Sequence, residues 1–238
     1  MAQGTYSGRT ALVTGSTRGI GRMICEHLLE QGGTVLGFAR GGTTVAHASY
    51  HHFRVDLTQP AEVQATFLAL RKEFPALHIL VNNAGVLLSQ HAMIMPVDAV
   101  RSMVDTNLVA PFLVSREAAK LMRKGRWGRI INISSMAASL EPIGDSVYAA
   151  CKAGLTTMGN VLAKELASFN ITVNTLGITA IATDMLAQLP QEEIRSVIES
   201  LPIPRFATPD DVLNVIDFFA SERSSYITAQ TVFLGGVN

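Results

Sequence analysis

Little in this chain of 238 residues is charged, and the charge that is there cancels, with 19 Lys and Arg against 19 Asp and Glu. Nucleic-acid binders carry a basic excess, so a polyanion partner is not expected. Cysteine is scarce. Cys25 and Cys151 both fall inside predicted helices without metal-ligand spacing, so reduced thiols are expected instead of disulfides. No stretch reaches the ~18 apolar residues of a membrane span, and Met1 to Arg9 hold no apolar signal segment. A soluble, cytoplasmic protein is expected. There is no Pro/Gly/Ser-rich linker, no block of like charge and no internal repeat. With 48% hydrophobic residues, the chain can bury one large core, and residues 1–238 are read as a single domain.

What the chain does have is alternation. Short apolar runs at 10–13, 34–38, 52–55, 79–81, 130–133, 171–173 and 231–234 are bounded by Gly, Asn, Asp or Ser. They are apolar at most positions, as strands covered on both faces are. Helical patterns lie between them near 19–31, 60–74, 97–124, 147–169, 192–201 and 209–220. Strand and helix in turn predict an α/β fold, a doubly wound Rossmann-type parallel sheet of about seven strands. The short polar segment at 40–50 predicts a second crossover without a full helix. From Ala153 through Ala163 the fourth pattern has no charged residue. A helix uncharged all round is covered on its outer side too, so a homo-oligomer is expected.

Tyr148 and Lys152 stand four apart on that same helix and so on one face. A phenol is a poor acid or base at neutral pH, with an ordinary pKa near ~10. A neighbouring ammonium favours the phenolate, which suits the pair to proton transfer. Such a pair also arises by chance on solvated helices, and it gains weight only beside a redox cofactor site.

A cofactor site is suggested by Thr14-Gly15-Ser16-Thr17-Arg18-Gly19-Ile20-Gly21, which follows the first strand and opens the first helix. Glycines there let the backbone approach a ligand, and the free N–H groups of the helix N-terminus face an anion such as a pyrophosphate. The alternative is a glycine turn that only packs helix on strand. The second strand ends at Phe38-Ala39-Arg40 with no acid for the ribose hydroxyls of NAD. Arg40 and Arg18 offer two guanidinium forks for the 2′-phosphate of NADPH instead. As the alternative, both are ordinary surface arginines.

Taken in order, the glycine loop, Asn82-Asn83-Ala84-Gly85 and Tyr148-x-x-x-Lys152 resemble the short-chain dehydrogenase/reductase family over nearly the whole chain. Within it the chain looks most like the bacterial 3-oxoacyl-[acyl-carrier-protein] reductases. Arg18, Gly128-Arg129-Ile130-Ile131, Ile171-Thr172-Val173-Asn174 and Thr183-Asp184-Met185 carry that likeness. The resemblance implies NADPH-dependent reduction of a 3-oxoacyl thioester on an acyl carrier protein, in fatty-acid or specialised polyketide synthesis, by a homotetramer.

It also implies roles. Tyr148 would be the general acid. Lys152 would lower the tyrosine pKa and bind the nicotinamide ribose. Ser135 would hydrogen-bond the substrate carbonyl, with Ser134 as rival, and Asn107 would hold a water linking Lys152 to solvent. By its residue type alone, Asn107 equally suits a helix interior where it is satisfied locally. The implied cofactor contacts are Gly15, Thr17, Arg18, Gly19, Ile20, Gly21, Arg40, Asp56, Leu57, Asn83, Ala84, Gly85, Tyr148, Lys152, Ile178 and Thr183. Asp56 would take the adenine amino group, and Ile178 and Thr183 the nicotinamide amide. A substrate lid is implied around 178–203, where Ile178-Thr179 replaces the family's usual Pro-Gly. Arg129 would help dock the acidic carrier, while Phe169 stands where the family has a second basic docking residue.

Other features are read plainly. His47, His51 and His52 are taken as surface histidines instead of a metal site. Met93, Met95 and Met185 could line an apolar acyl pocket. Two further functions stay open: reduction or oxidation of another small ketone or secondary alcohol, and non-catalytic dinucleotide binding.

Overall fold

The computed structural model describes residues 4–181, 195 and 198–237. Seven strands form one sheet: β1 (Thr10–Thr14), β2 (Thr34–Ala39), β3 (Tyr50–Arg54), β4 (Ile79–Asn82), β5 (Gly128–Ser135), β6 (Ile171–Ile178) and β7 (Thr231–Phe233). Their order is β3-β2-β1-β4-β5-β6-β7, and every pairing is parallel. Among the described residues seven α-helices connect or flank them: α1 (Gly19–Glu30), α2 (Pro60–Glu73), α3 (Val97–Val104), α4 (Ala110–Gly125), α5 (Ala137–Leu140), α6 (Ser146–Leu166) and α7 (Pro209–Ala220). The strand order reverses between β1 and β4, and a crevice opens there at the carboxyl ends of the strands.

Burial explains the near-continuous apolar strands. Leu12, Leu36, Leu80 and Ile130 face a core shared with α2, α4 and α6, while Val13, Val35, Val81 and Ile131 face a second core under α1 and α7. Successive residues point to opposite faces, and both faces are dry.

Three elements differ from the sequence expectation. The helix expected over 97–124 is interrupted by a π-helical turn at Asp105–Val109. Pro111 has no N–H to give the carbonyl of Asn107 four residues earlier, and widening the turn accommodates that missing bond. Strands β5 and β6 run on past 133 and 173, because they pair with each other through Ser135↔Ile178. Most of the helix expected over 192–201 lies outside the described residues. Residues 40–49 carry no helix, as expected, and are tied down instead: Thr44 Oγ1 donates to the Thr17 carbonyl at 2.6 Å, and Val45 is buried in the second core. Among the described residues no helix is long and apolar enough to cross a membrane.

Candidate active site

The glycine loop crosses the end of β1 and is held from the side by the segment after β4. Asn83 Nδ2 donates to the Thr14 carbonyl at 2.9 Å, and the backbone N–H groups of Asn83 and Ala84 both donate to Thr14 Oγ1 at 3.0 Å. This contact leaves no room for a side chain, since a Cβ on Gly21 would lie 2.2 Å from the Gly15 carbonyl oxygen. Gly19 is different. Its φ is +52° and a Cβ there would meet nothing within 4 Å, so its outer side is open for a ligand. The first turn of α1 has no acid, and Arg18 is its N-cap. Free N–H groups at a 12-residue helix and an open loop suit a pyrophosphate. Arg18 and Arg40 are exposed at this end of the sheet, and among the described residues neither has an ion-pair partner. A dinucleotide fits this donor set.

Asp56 is half-buried, with Oδ1 engaged by the Thr58 N–H and hydroxyl. The Leu57 side chain packs in the first core, which leaves only its backbone for a cofactor. Ile178 ends β6, and its carbonyl already accepts from the Met136 N–H at 2.9 Å. Thr183 lies outside the described residues.

Four elements bring the chemistry together. Ser135 is the last residue of β5, and Tyr148 and Lys152 stand one turn apart in α6. Ser135 Oγ accepts from the Ala137 N–H at 3.1 Å, and its hydroxyl lies close enough to Tyr148 to act on the phenol's titration. Ser134 points the other way, donating to the Lys152 carbonyl at 3.2 Å, so the alternation of the strand separates the two serines. Lys152 Nζ donates to the Ile133 carbonyl at 2.8 Å and lies 5.6 Å from the centre of the Tyr148 ring. Asn107 is fully buried in the π turn, and its amide closes on the backbone of Val86. Its Oδ1 accepts from the Val86 N–H at 3.0 Å, and its Nδ2 donates to the Val86 carbonyl at 2.8 Å. The side chain is therefore satisfied locally. It shapes the wall around Gly85, where an added Cβ would lie 2.9 Å from Asn107 Oδ1 and 3.6 Å from Lys152 Nζ.

The titration of the pair departs from expectation. Burial pushes the Tyr148 phenol up to about 12; the Ser135 hydroxyl pulls it down and Asp145 raises it further. Burial lowers Lys152 to about 8. Desolvation is the largest influence on both groups, so the phenol lies above its ordinary value and not below it as the sequence suggested. In this structure Tyr148 is a neutral hydrogen-bond donor across the physiological range.

Arg129 also needs correction. It is fully buried, with its guanidinium 4.3 Å from the Trp127 ring centre and bonded to the Gly128 and Ser221 carbonyls. It is part of the fold and cannot dock a partner. Arg54, which no sequence motif singles out, reaches the Arg40 carbonyl from β3. Only the register Ala39↔Arg54 places it there.

With this geometry, the comparisons with known proteins agree. The family model described as short chain dehydrogenase matches residues 9–194, and the chain belongs to that family. It is an oxidoreductase of the nicotinamide dinucleotide class. At 35% identity it is similar to the 3-oxoacyl-[acyl-carrier-protein] reductase FabG of Salmonella typhimurium, over 98% of each chain. The Escherichia coli reductase of the same name is also 35% identical, over 97% of each. Among solved structures, a putative gluconate dehydrogenase from Agrobacterium tumefaciens superposes with a TM-score of 0.90. It is 28% identical and covers 99% of this chain and 98% of that one.

Proposed function

We propose that the protein reduces 3-oxoacyl thioesters, carried on acyl carrier protein, with NADPH. Two hydroxyls set together carry this reading, Ser135 at the end of β5 and Tyr148 on α6, because a pair of donors is what a carbonyl oxygen gaining negative charge requires. The bound dinucleotide would supply the hydride. Ser135 holds the carbonyl oxygen, and Tyr148 gives it a proton as the alkoxide forms. The Lys152 ammonium, present below about 8, stabilises the phenolate left behind. Asn107 keeps the backbone beside Lys152 in place through Val86. Gly15, Thr17, Gly19, Ile20 and Gly21 would cradle the pyrophosphate, with Asn83, Ala84 and Gly85 along the adenosine ribose, and Arg18 and Arg40 on the 2′-phosphate. The lid implied around 178–203 lies mostly outside the described residues.

An acyl substrate is supported by exposed apolar side chains on the two loops that flank the catalytic residues. Met93 (86% exposed) and Ile94 follow β4, and Leu140 and Ile143 (93% exposed) follow β5. The Gln90 N–H donates to the Gly144 carbonyl at 3.0 Å and joins the loops into one lip. An acidic carrier would use the exposed Arg123, Lys124 and Arg126 in place of Arg129. Ala153, Thr157 and Val161 leave α6 with an uncharged outer face, which supports a homo-oligomer, proposed as a tetramer. Oxidation of a small hydroxy acid is the second reading, favoured by the gluconate dehydrogenase likeness.

Steady-state oxidation of NADPH by a carrier-bound 3-oxoacyl thioester and by its coenzyme A analogue, beside reduction of NADP+ by gluconate, separates these. The proposal expects thioester reduction with the carrier form preferred. Turnover of gluconate with no turnover of either thioester would overturn it.

A further inference from the structure

Edge strand β3 reaches into the nucleotide site in a way that no motif announces. Tyr50, His52 and Arg54 alternate onto one face of the strand, while His51 and Phe53 turn to the other, against Phe74. The first three side chains each hold one of the two loops at the cleft. The Tyr50 hydroxyl donates to Ser16 Oγ at 3.0 Å, passing over Gly37, where a Cβ would lie 2.0 Å from it. His52 Nε2 is 2.8 Å from the Gly41 carbonyl, which can only accept, so the ring proton sits on Nε2. Arg54 Nε donates to the Arg40 carbonyl at 2.9 Å.

The Arg40–Gly41 backbone is thus gripped from β3 by two donors, and one of them is a guanidinium with both terminal nitrogens still available. Arg54 is exposed, and among the described residues it has no ion-pair partner. The nearest acids in sequence are engaged elsewhere. Asp56 Oδ1 holds Thr58, and Glu62 Oε2 accepts from the Asp56 N–H. Arg18, Arg40 and Arg54 therefore share one end of the sheet without a neutralising carboxylate. A multivalent anion bound at that end would meet three cationic side chains.

We propose that Arg54 is a specificity-determining residue for the cofactor's 2′-phosphate, adding a third guanidinium and holding the Arg40 backbone from the edge strand. The inference rests on the NADPH reading above. Calorimetric titration of NADPH and NADH into the intact protein, Arg54→Gln and Arg54→Lys tests it. Arg54→Gln is expected to weaken NADPH binding about tenfold while NADH stays within about twofold, the scale of one charge-assisted phosphate contact. Arg54→Lys keeps the charge and loses the Nε donor, so its loss should be about threefold and again confined to NADPH. Equal weakening of both cofactors would mark a merely structural residue and overturn the proposal. So would an Arg54→Gln variant that keeps the full NADPH preference, with the NADPH reading left standing. An unmodified protein that binds the two cofactors alike would overturn the NADPH reading itself and this inference with it.

Discussion

Replacing Lys152 by Met should stabilise the protein and destroy its activity. The wild-type ammonium is buried, and burial lowers its pKa from 10.5 to about 8. At ~1.36 kcal/mol per pH unit, keeping the charge there costs the folded state about 3 kcal/mol at neutral pH. Methionine fills the same space without charge but leaves the Ile133 carbonyl without its 2.8 Å partner, a loss of about 1 kcal/mol. A net gain of about 2 kcal/mol remains, or about 4–8 °C in Tm for a chain this long. The sign of the pH dependence follows from proton counts. In the unfolded chain the lysine keeps its proton to ~10.4, whereas in the folded chain it releases it near 8. Between these values the unfolded state binds more protons, so wild-type stability rises with pH and the variant's advantage shrinks. Circular-dichroism melts of both proteins at matched concentration from pH 7 to pH 10 read this directly. A variant that melts below wild type at pH 7, or a gap that does not narrow toward pH 10, refutes the argument that desolvation dominates at this site.

Three further outcomes are expected. Tyr148→Phe should lower thioester turnover by about 10²–10⁴-fold while NADPH affinity stays within about twofold, and turnover at wild-type rate would remove Tyr148 as proton donor. Initial rates of reduction by the wild-type enzyme should fall as pH rises through about 8, where Lys152 loses the charge that stabilises the tyrosine phenolate. A rate flat from pH 7 to pH 10 would contradict this. Asn107→Ala removes the side-chain partners of the N–H and carbonyl of half-buried Val86 and should cost about 1–3 kcal/mol, seen as a lower denaturation midpoint. An unchanged midpoint would show that Val86 finds other partners.

Much of the fold was legible because its signals are local. Apolar runs covered on both faces, glycines at a strand–helix turn, and Tyr148 and Lys152 one turn apart all follow from short-range geometry. The sequence by itself therefore determined the parallel sheet and set Tyr148 and Lys152 on one face of one helix. It could not weigh desolvation, since burial is set by the whole molecule. Only the tertiary structure showed Tyr148 raised to about 12 and Lys152 lowered to about 8. Long-range pairing decided the rest. Alternation at the end of β5 sent Ser135 to Tyr148 and Ser134 to the Lys152 carbonyl. Packing against Trp127 took Arg129 out of reach of any partner. The register of β2 with β3 laid Arg54 beside Arg40, fourteen residues apart in the chain and joined by one hydrogen bond.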